Sequence, residues 1–500
     1  MDITDYVACD ATRLAELVAR REVGAQELLD VALAQLRRTQ PRINAVCRLM
    51  EAEARAQLAG PPPAGAFAGV PFLVKDIVQD IAGVPTGCGG AGMRRLVPTA
   101  TAHVVRRFLG AGLVVFGKTN LPEFALKGVT DSRVNGRTNN PWNVEHVPGG
   151  SSGGAAAAIA SGVVPMAGAS DGGGSIRIPA ACCGLFGLRP SRGRVSNGPA
   201  IGDAWFGASS EGVISRSVRD SARMLDVLAG AEPGDPYTLA PPEAPYAGSV
   251  ARPPRALRIG FMSASPLGTP VHPEAVAAVD DAARLLESLG HHVEAAAPAI
   301  DGPLLARNFL HIYFGQVPAA MARARAAGAS RSEFEPMTRI IETLGKATSA
   351  ATLTANLAAW NQHARALADF HRRFDLLLTP TLAHPPVRHG AGDPPPWQEA
   401  LLGLLDRSGL LGLFARLGLA APTVDKIAAD SLQYVPFTQL ANLAGVPAMS
   451  VPLHWTADGL PLGVQFVAPP AREDLLLQLA AQLEQARPWF DRLPALARAG

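Results

Sequence analysis

Two glycine-rich turns, Gly149-Gly150-Ser151-Ser152-Gly153-Gly154 and Asp171-Gly172-Gly173-Gly174-Ser175, sit inside a 500-residue chain whose apolar residues come in short runs. The first turn leads into residues 155–159, an Ala-rich stretch that continues as a helix. A turn of this kind aims backbone N–H groups at a ligand, and it fits a layered chain of strands and helices. Residues 70–74 and 112–116 read as buried strands with a helix over 101–109 between them, the alternation of an α/β protein.

Flanking regions extend the pattern. Residues 11–21 and 25–40 carry apolar side chains at helical spacing and read as an antiparallel helical pair. Residues 231–254, rich in Pro, Ala and Gly, read as a surface connection. Beyond it come a strand at 257–261, a helix at 273–289, a strand at 292–294 and a buried strand at 375–380. On composition alone the chain divides into two α/β units. No internal repeat occurs.

With 48% hydrophobic residues and a net charge of +2, the chain has material for a large core. Its 45 basic and 43 acidic residues are interspersed, which leaves no footprint for nucleic acid. Five cysteines at irregular spacing argue against a disulfide framework or a zinc site and fit a reducing cytoplasm. The acidic start Met1-Asp2-Ile3-Thr4-Asp5 lacks the basic region of a signal peptide, and no apolar run is long enough to predict an integral membrane segment.

A hydrolase with a serine nucleophile needs a base for the hydroxyl proton and N–H donors for the oxyanion. Lys75 follows the apolar run 70–74 directly, at the strand end where open α/β sheets bind ligands. Burial there would lower it from about 10.4 and free a neutral amine, although a surface lysine at a strand terminus fits the position equally well. Gly149 to Gly153 matches G-x-S-x-G, but the nucleophile elbow needs a strand before it, and residues 143–148 end in proline. No Lys follows the glycines as a phosphate loop requires. Gly87 to Gly92 matches G-x-G-x-x-G without an acidic residue for a ribose, so no dinucleotide or other cofactor is expected. His146 reads as a structural loop histidine, and Cys182-Cys183 as core filling. In the second turn, Arg177 is placed to pair with Asp171 and brace a loop of N–H donors.

Gly69-Val70-Pro71-Phe72-Leu73-Val74-Lys75-Asp76, Gly117-Lys118-Thr119-Asn120, the two serine turns, Cys183-Gly184-Leu185-Phe186-Gly187-Leu188-Arg189-Pro190 and Gly459-Leu460-Pro461-Leu462-Gly463-Val464-Gln465 follow one another in order. Together they resemble the amidase signature family, over about residues 10 to 490. The resemblance implies an α/β/α sandwich around a large mixed sheet, with an N-terminal helical segment (1–65) packed on a catalytic domain (66–500). It implies a Ser–cis-Ser–Lys triad: Ser175 the nucleophile, Ser151 the bridging serine after a cis peptide bond, Lys75 the base. N–H groups of Gly172, Gly173, Gly174 and Ser175 would hold the oxyanion, and Ser152, Asp171 and Arg177 would support the turn. The reaction so implied is cleavage of a carboxamide C–N bond through an acyl-enzyme, without metal or cofactor, on a small-molecule amide.

Gly172 stands where the family commonly has a bulkier residue, which would loosen the oxyanion turn. The chain's texture resembles the family's cyclic-amide and nylon-oligomer hydrolases more than its tRNA-amidating subunit. An amidotransferase A subunit and a carbamate- or ester-cleaving enzyme are the alternatives. The family layout implies a pocket lined from residues 200–211 and 307–320, with Tyr313, Phe186, Gly149 and Gly150 against substrate. Segment 395–419, rich in leucine, reads first as a helical pair packed on the core. A lid or insertion over a substrate channel (near 390–425) and a dimer or membrane-surface patch are its other readings, and a homodimer follows from the last.

Overall fold

The structure, a computed structural model, describes residues 1–391, 393, 395–417, 419 and 421–498. Three strands form a small sheet: β1 (Val46–Leu49), β2 (Pro71–Lys75) and β3 (Val114–Thr119), in the order β1-β3-β2 with β2 and β3 parallel. A short hairpin, β4 (Asp131–Ser132) and β5 (Gly136–Arg137), follows. The main sheet is built from β6 (Met166–Asp171), β7 (Phe186–Arg189), β8 (Ser210–Ser215), β9 (Arg258–Phe261), β10 (His292–Ala295), β11 (Leu376–Pro380), β12 (Ala448–Trp455) and β13 (Pro461–Val467). Its order is β10-β9-β11-β13-β12-β7-β8-β6, parallel at β9 with β10 and β11 and antiparallel elsewhere, with helices on both sides. The expected mixed α/β sandwich is what the chain adopts.

The two strands that carry the site, β2 and β6, are buried along their whole length, and in β2 that burial shows in the sequence as an apolar run ending at Lys75. β2 runs beside β6 and bridges the two sheets at the edge where the serine turns lie. The stretch 1–65 holds β1 as well as helices. Its helix Ala11–Ala19 is tied to the body by Asp220 of helix Val218–Leu228, whose carboxylate accepts from the N–H groups of Ala11 and Thr12 at 2.7 and 2.8 Å. One apolar core runs through both composition-defined units. Residues 231–254 are the expected surface connection, pinned by the buried Tyr246.

Segment 395–419 contains the expected helical pair, Pro396–Arg407 and Leu410–Arg416. Its packing differs from the expectation. Leu411 is buried and Asp406 accepts from Arg331 and Thr343, while Trp397, Leu404 and Leu417 are more than half exposed. The polar anchor at Asp406 turns the leucine-rich face outward. Residues 392, 394, 418 and 420, within the stretch read as a lid, lie outside the described residues. Among the described residues no helix is long and apolar enough to cross a membrane.

Candidate active site

Lys75 ends β2 and is fully buried. Its Nζ lies 2.8 Å from Ser151 Oγ, 3.1 Å from Ser170 Oγ and 3.4 Å from the Ser170 carbonyl oxygen. Burial lowers this amine to about 8. As an ammonium, Nζ donates to all three oxygens; as a neutral amine it can turn its lone pair to one of the two hydroxyls and keep two N–H contacts. Lys75 and Ser151 are an amine and a hydroxyl already in contact.

Ser151 follows a cis peptide bond from Gly150 and precedes helix Gly153–Ala160. A Cβ at position 150 would fall 2.6 Å from the Val129 backbone, so only glycine permits this approach. Thr130 Oγ1 donates to the Gly149 carbonyl at 2.9 Å and holds the other side of the turn. Ser152 joins the two turns: its N–H donates to the Ser175 carbonyl at 3.3 Å and its hydroxyl to the Ser170 carbonyl at 3.4 Å.

Ser175 stands just before helix Arg177–Cys183 with slight exposure, and its hydroxyl has no hydrogen-bond partner among the described residues. The turn before it is held from below. Asp171 and Arg177, both fully buried, pair at 2.9 Å through each carboxylate oxygen. Burial opposes a charge on Asp171, but the Arg177 guanidinium wins and keeps the carboxyl well below the usual range. Arg177 also donates to Thr438 O, Gln465 Oε1 and Asn442 Oδ1, while Asn442 Nδ2 donates back to Asp171. Such a satisfied network fixes its loop in one geometry.

The peptide between Gly173 and Gly174 is clamped on both sides. Its carbonyl accepts from Thr438 Oγ1 at 2.6 Å and Gln439 Nε2 at 3.1 Å, and its N–H donates to Asp171 Oδ1 at 2.7 Å. Gly174 was expected among the oxyanion donors; its N–H is occupied by the brace instead. The N–H groups of Gly172, Gly173 and Ser175 have no acceptor among the described residues.

Aromatic rings close over this turn. A Cβ at Gly172 would lie 2.6 Å from the Trp205 ring, and one at Gly173 would lie 2.3 Å from Phe309. Tyr313, on helix Gly302–Ala326, packs edge-on against both rings, 5.3 Å from Trp205 and 5.4 Å from Phe309. The turn is therefore not loosened by Gly172, because Trp205 fills the missing volume. The two pocket stretches reach the turn through Trp205 and Phe309, and Tyr313 packs on those two rings. Phe186 is fully buried in β7, where its neighbour Gly187 packs against Ile176, the residue after Ser175: a Cβ at Gly187 would lie 2.9 Å from the Ile176 side chain. Gly149 and Gly150 turn their Cα hydrogens to Pro179 and Val129, a packing role.

A family model described as amidase matches residues 27–408 and 415–477. The chain belongs to the amidase family. This amidase is 38% identical over 504 residues to the 6-aminohexanoate-cyclic-dimer hydrolase of Paenarthrobacter ureafaciens, covering 97% of its own chain and 96% of the relative. Its fold matches a solved structure of 6-aminohexanoate cyclic dimer hydrolase complexed with substrate at a TM-score of 0.88 and 34% identity, covering 98% and 100% of the two chains. A bacterial aryl acylamidase of the amidase signature family matches at 0.83 and 28%, covering 98% and 99%. The amidase is thus an amide-cleaving hydrolase.

Asn442, Thr438, Gln439 and Gln465 are site residues that the sequence reading left out. Asn442 had a signal, a lone amide inside the apolar run Leu440-Ala441-Asn442-Leu443-Ala444. Gln465 ends the segment from Gly459 that carries the resemblance, with nothing in the sequence to tie it to Arg177, while Thr438 and Gln439 lie more than 260 residues from the turn they hold and gave no signal.

Proposed function

We propose that the chain hydrolyses an uncharged carboxamide by a Ser175–Ser151–Lys75 relay. Ser175 Oγ attacks the carbonyl carbon while its proton passes to Ser151, whose own proton passes to Lys75 Nζ. The N–H groups of Gly172, Gly173 and Ser175 receive the oxyanion. Collapse expels the amine, which takes a proton back from Lys75 through Ser151, and water then clears the ester on Ser175. The 2.8 Å contact between a buried lysine amine and Ser151 is the observation that carries this reading.

The three rings over the turn favour a flat or apolar group beside the scissile carbonyl. The likeness to cyclic-dimer hydrolases supports cyclic and linear oligoamides as the substrate class, with anilides next. Five free thiols support a reducing cytoplasm as the place of action. The test is a screen of cyclic oligoamides, linear amides and anilides with the purified chain alone. Hydrolysis that disappears in Ser175→Ala is expected, and equal turnover by that variant refutes the relay.

A further inference from the structure

Glu211 is a fully buried carboxyl group for which the relay has no use. It sits on β8 directly opposite Ser170 of β6, so the two side chains share one face of the sheet. Ser170 is the residue that holds Lys75 Nζ on that face. Gln79 clips the assembly together: its Oε1 accepts from the Lys75 backbone N–H at 2.7 Å, and its Nε2 donates to Glu211 Oε2 at 2.9 Å. Gly168 makes room for that clip, since a Cβ there would meet Gln79 at 2.3 Å. Glu211 Oε1 has no hydrogen-bond partner among the described residues.

The charges around this group are few. Lys75 is faced by Glu211 and Asp171. Asp171 is already matched by Arg177, with Arg189 near it. Glu211 is faced by Lys75 and by Asp80, and Asp80 in turn by Lys118 and Arg323. Once the Asp171–Arg177 pair is set aside, Glu211 is the one carboxyl left to balance an ammonium on Lys75. Burial raises Glu211 while Lys75 opposes that rise, so each group's charge depends on the other's.

We propose that Glu211 is a positioning residue whose carboxylate, held through Gln79, supplies the counter-charge when Lys75 takes up the proton of Ser151. The inference rests on the relay proposed above. When that proton reaches Lys75 Nζ, a full positive charge forms in a site closed to water, a costly event without an opposite charge nearby. Glu211 accepts no proton in the cycle. It strengthens the base on the forward step, and the proton returns to the leaving amine by the same path.

The experiment is the pH profile of kcat and kcat/KM for wild type and Glu211→Gln on one anilide or oligoamide, with Ser175→Ala as control and melting curves for all. An opposite charge of this kind raises a buried amine by roughly 1–3 pH units. Glu211→Gln is therefore expected to move the acid limb down by about one pH unit or more, with plateau kcat about tenfold lower for the weaker base. A folded variant whose limb stays in place overturns the proposal, since a purely structural Glu211 would change only the melting point. If Glu211→Gln does not fold, Gln79→Met is used. Loss of its donor neutralises Glu211, so the limb must again move down, and an unmoved limb overturns the proposal. Loss of Ser175-dependent hydrolysis in the wild type itself refutes the relay. An unshifted limb beside normal wild-type turnover refutes only the role of Glu211.

Discussion

Gly173→Ala isolates the contact between the proposed oxyanion turn and the aromatic wall. Gly173 is not in the left-handed backbone region, so alanine meets no conformational obstacle there. The obstacle is a ring: the new Cβ would stand 2.3 Å from Phe309 Cζ, about 1.1 Å short of ordinary contact. Phe309 is buried and backed by Tyr313, so it has little freedom to swing away. The turn must yield instead, and a displacement near 1 Å at a reacting centre costs about 100-fold. Misplacing an oxyanion donor costs a similar 100- to 1,000-fold, about 2.7–4 kcal/mol. The expectation is a kcat lowered roughly 100-fold or more, with KM changed far less, and a stability loss of about 1–3 kcal/mol from overpacking. Phe309→Leu removes the offending ring atoms, so the double variant should recover activity with a coupling above about 1 kcal/mol. Near-normal kcat in Gly173→Ala, or additive losses in the double variant, would refute the packing argument.

Two further outcomes follow from the same site. Because burial lowers Lys75 to about 8, the wild-type kcat/KM should rise with pH through that region as the ammonium loses its proton; Lys75→Met should remove the rise together with nearly all activity, read in a pH–rate profile. Arg177→Met leaves the Asp171 carboxylate buried and uncompensated and should destabilise the chain by about 3–5 kcal/mol, read by denaturant unfolding, with Asp171→Asn/Arg177→Met less harmful than the single change.

Local chemistry made much of this legible in the sequence. Lys75 was half legible, since the apolar run before it marks a strand end where a dry site and the surface fit equally well, and Arg177 was legible because it follows Asp171 by six residues on one loop. What escaped was long-range. The clamp on the Gly173 carbonyl comes from Thr438 and Gln439, and the volume left by Gly172 is taken by Trp205. Neither partner is fixed by spacing, because each is brought in by a distant part of the chain. The outward leucines of 395–419 reflect a second limit: apolar periodicity gives a helix its face, and the anchor at Asp406 decides where that face points.

The relay's central claim is that Ser175, and no other hydroxyl, carries the acyl group. Mass spectrometry of the enzyme quenched during turnover of a slow amide tests it, with Ser151→Ala and Ser175→Ala alongside. The account predicts an acyl adduct on the peptide containing Ser175, much slower to form in Ser151→Ala and absent in Ser175→Ala. An adduct on Ser151, or turnover with no adduct in an enzyme lacking Ser175, would contradict it.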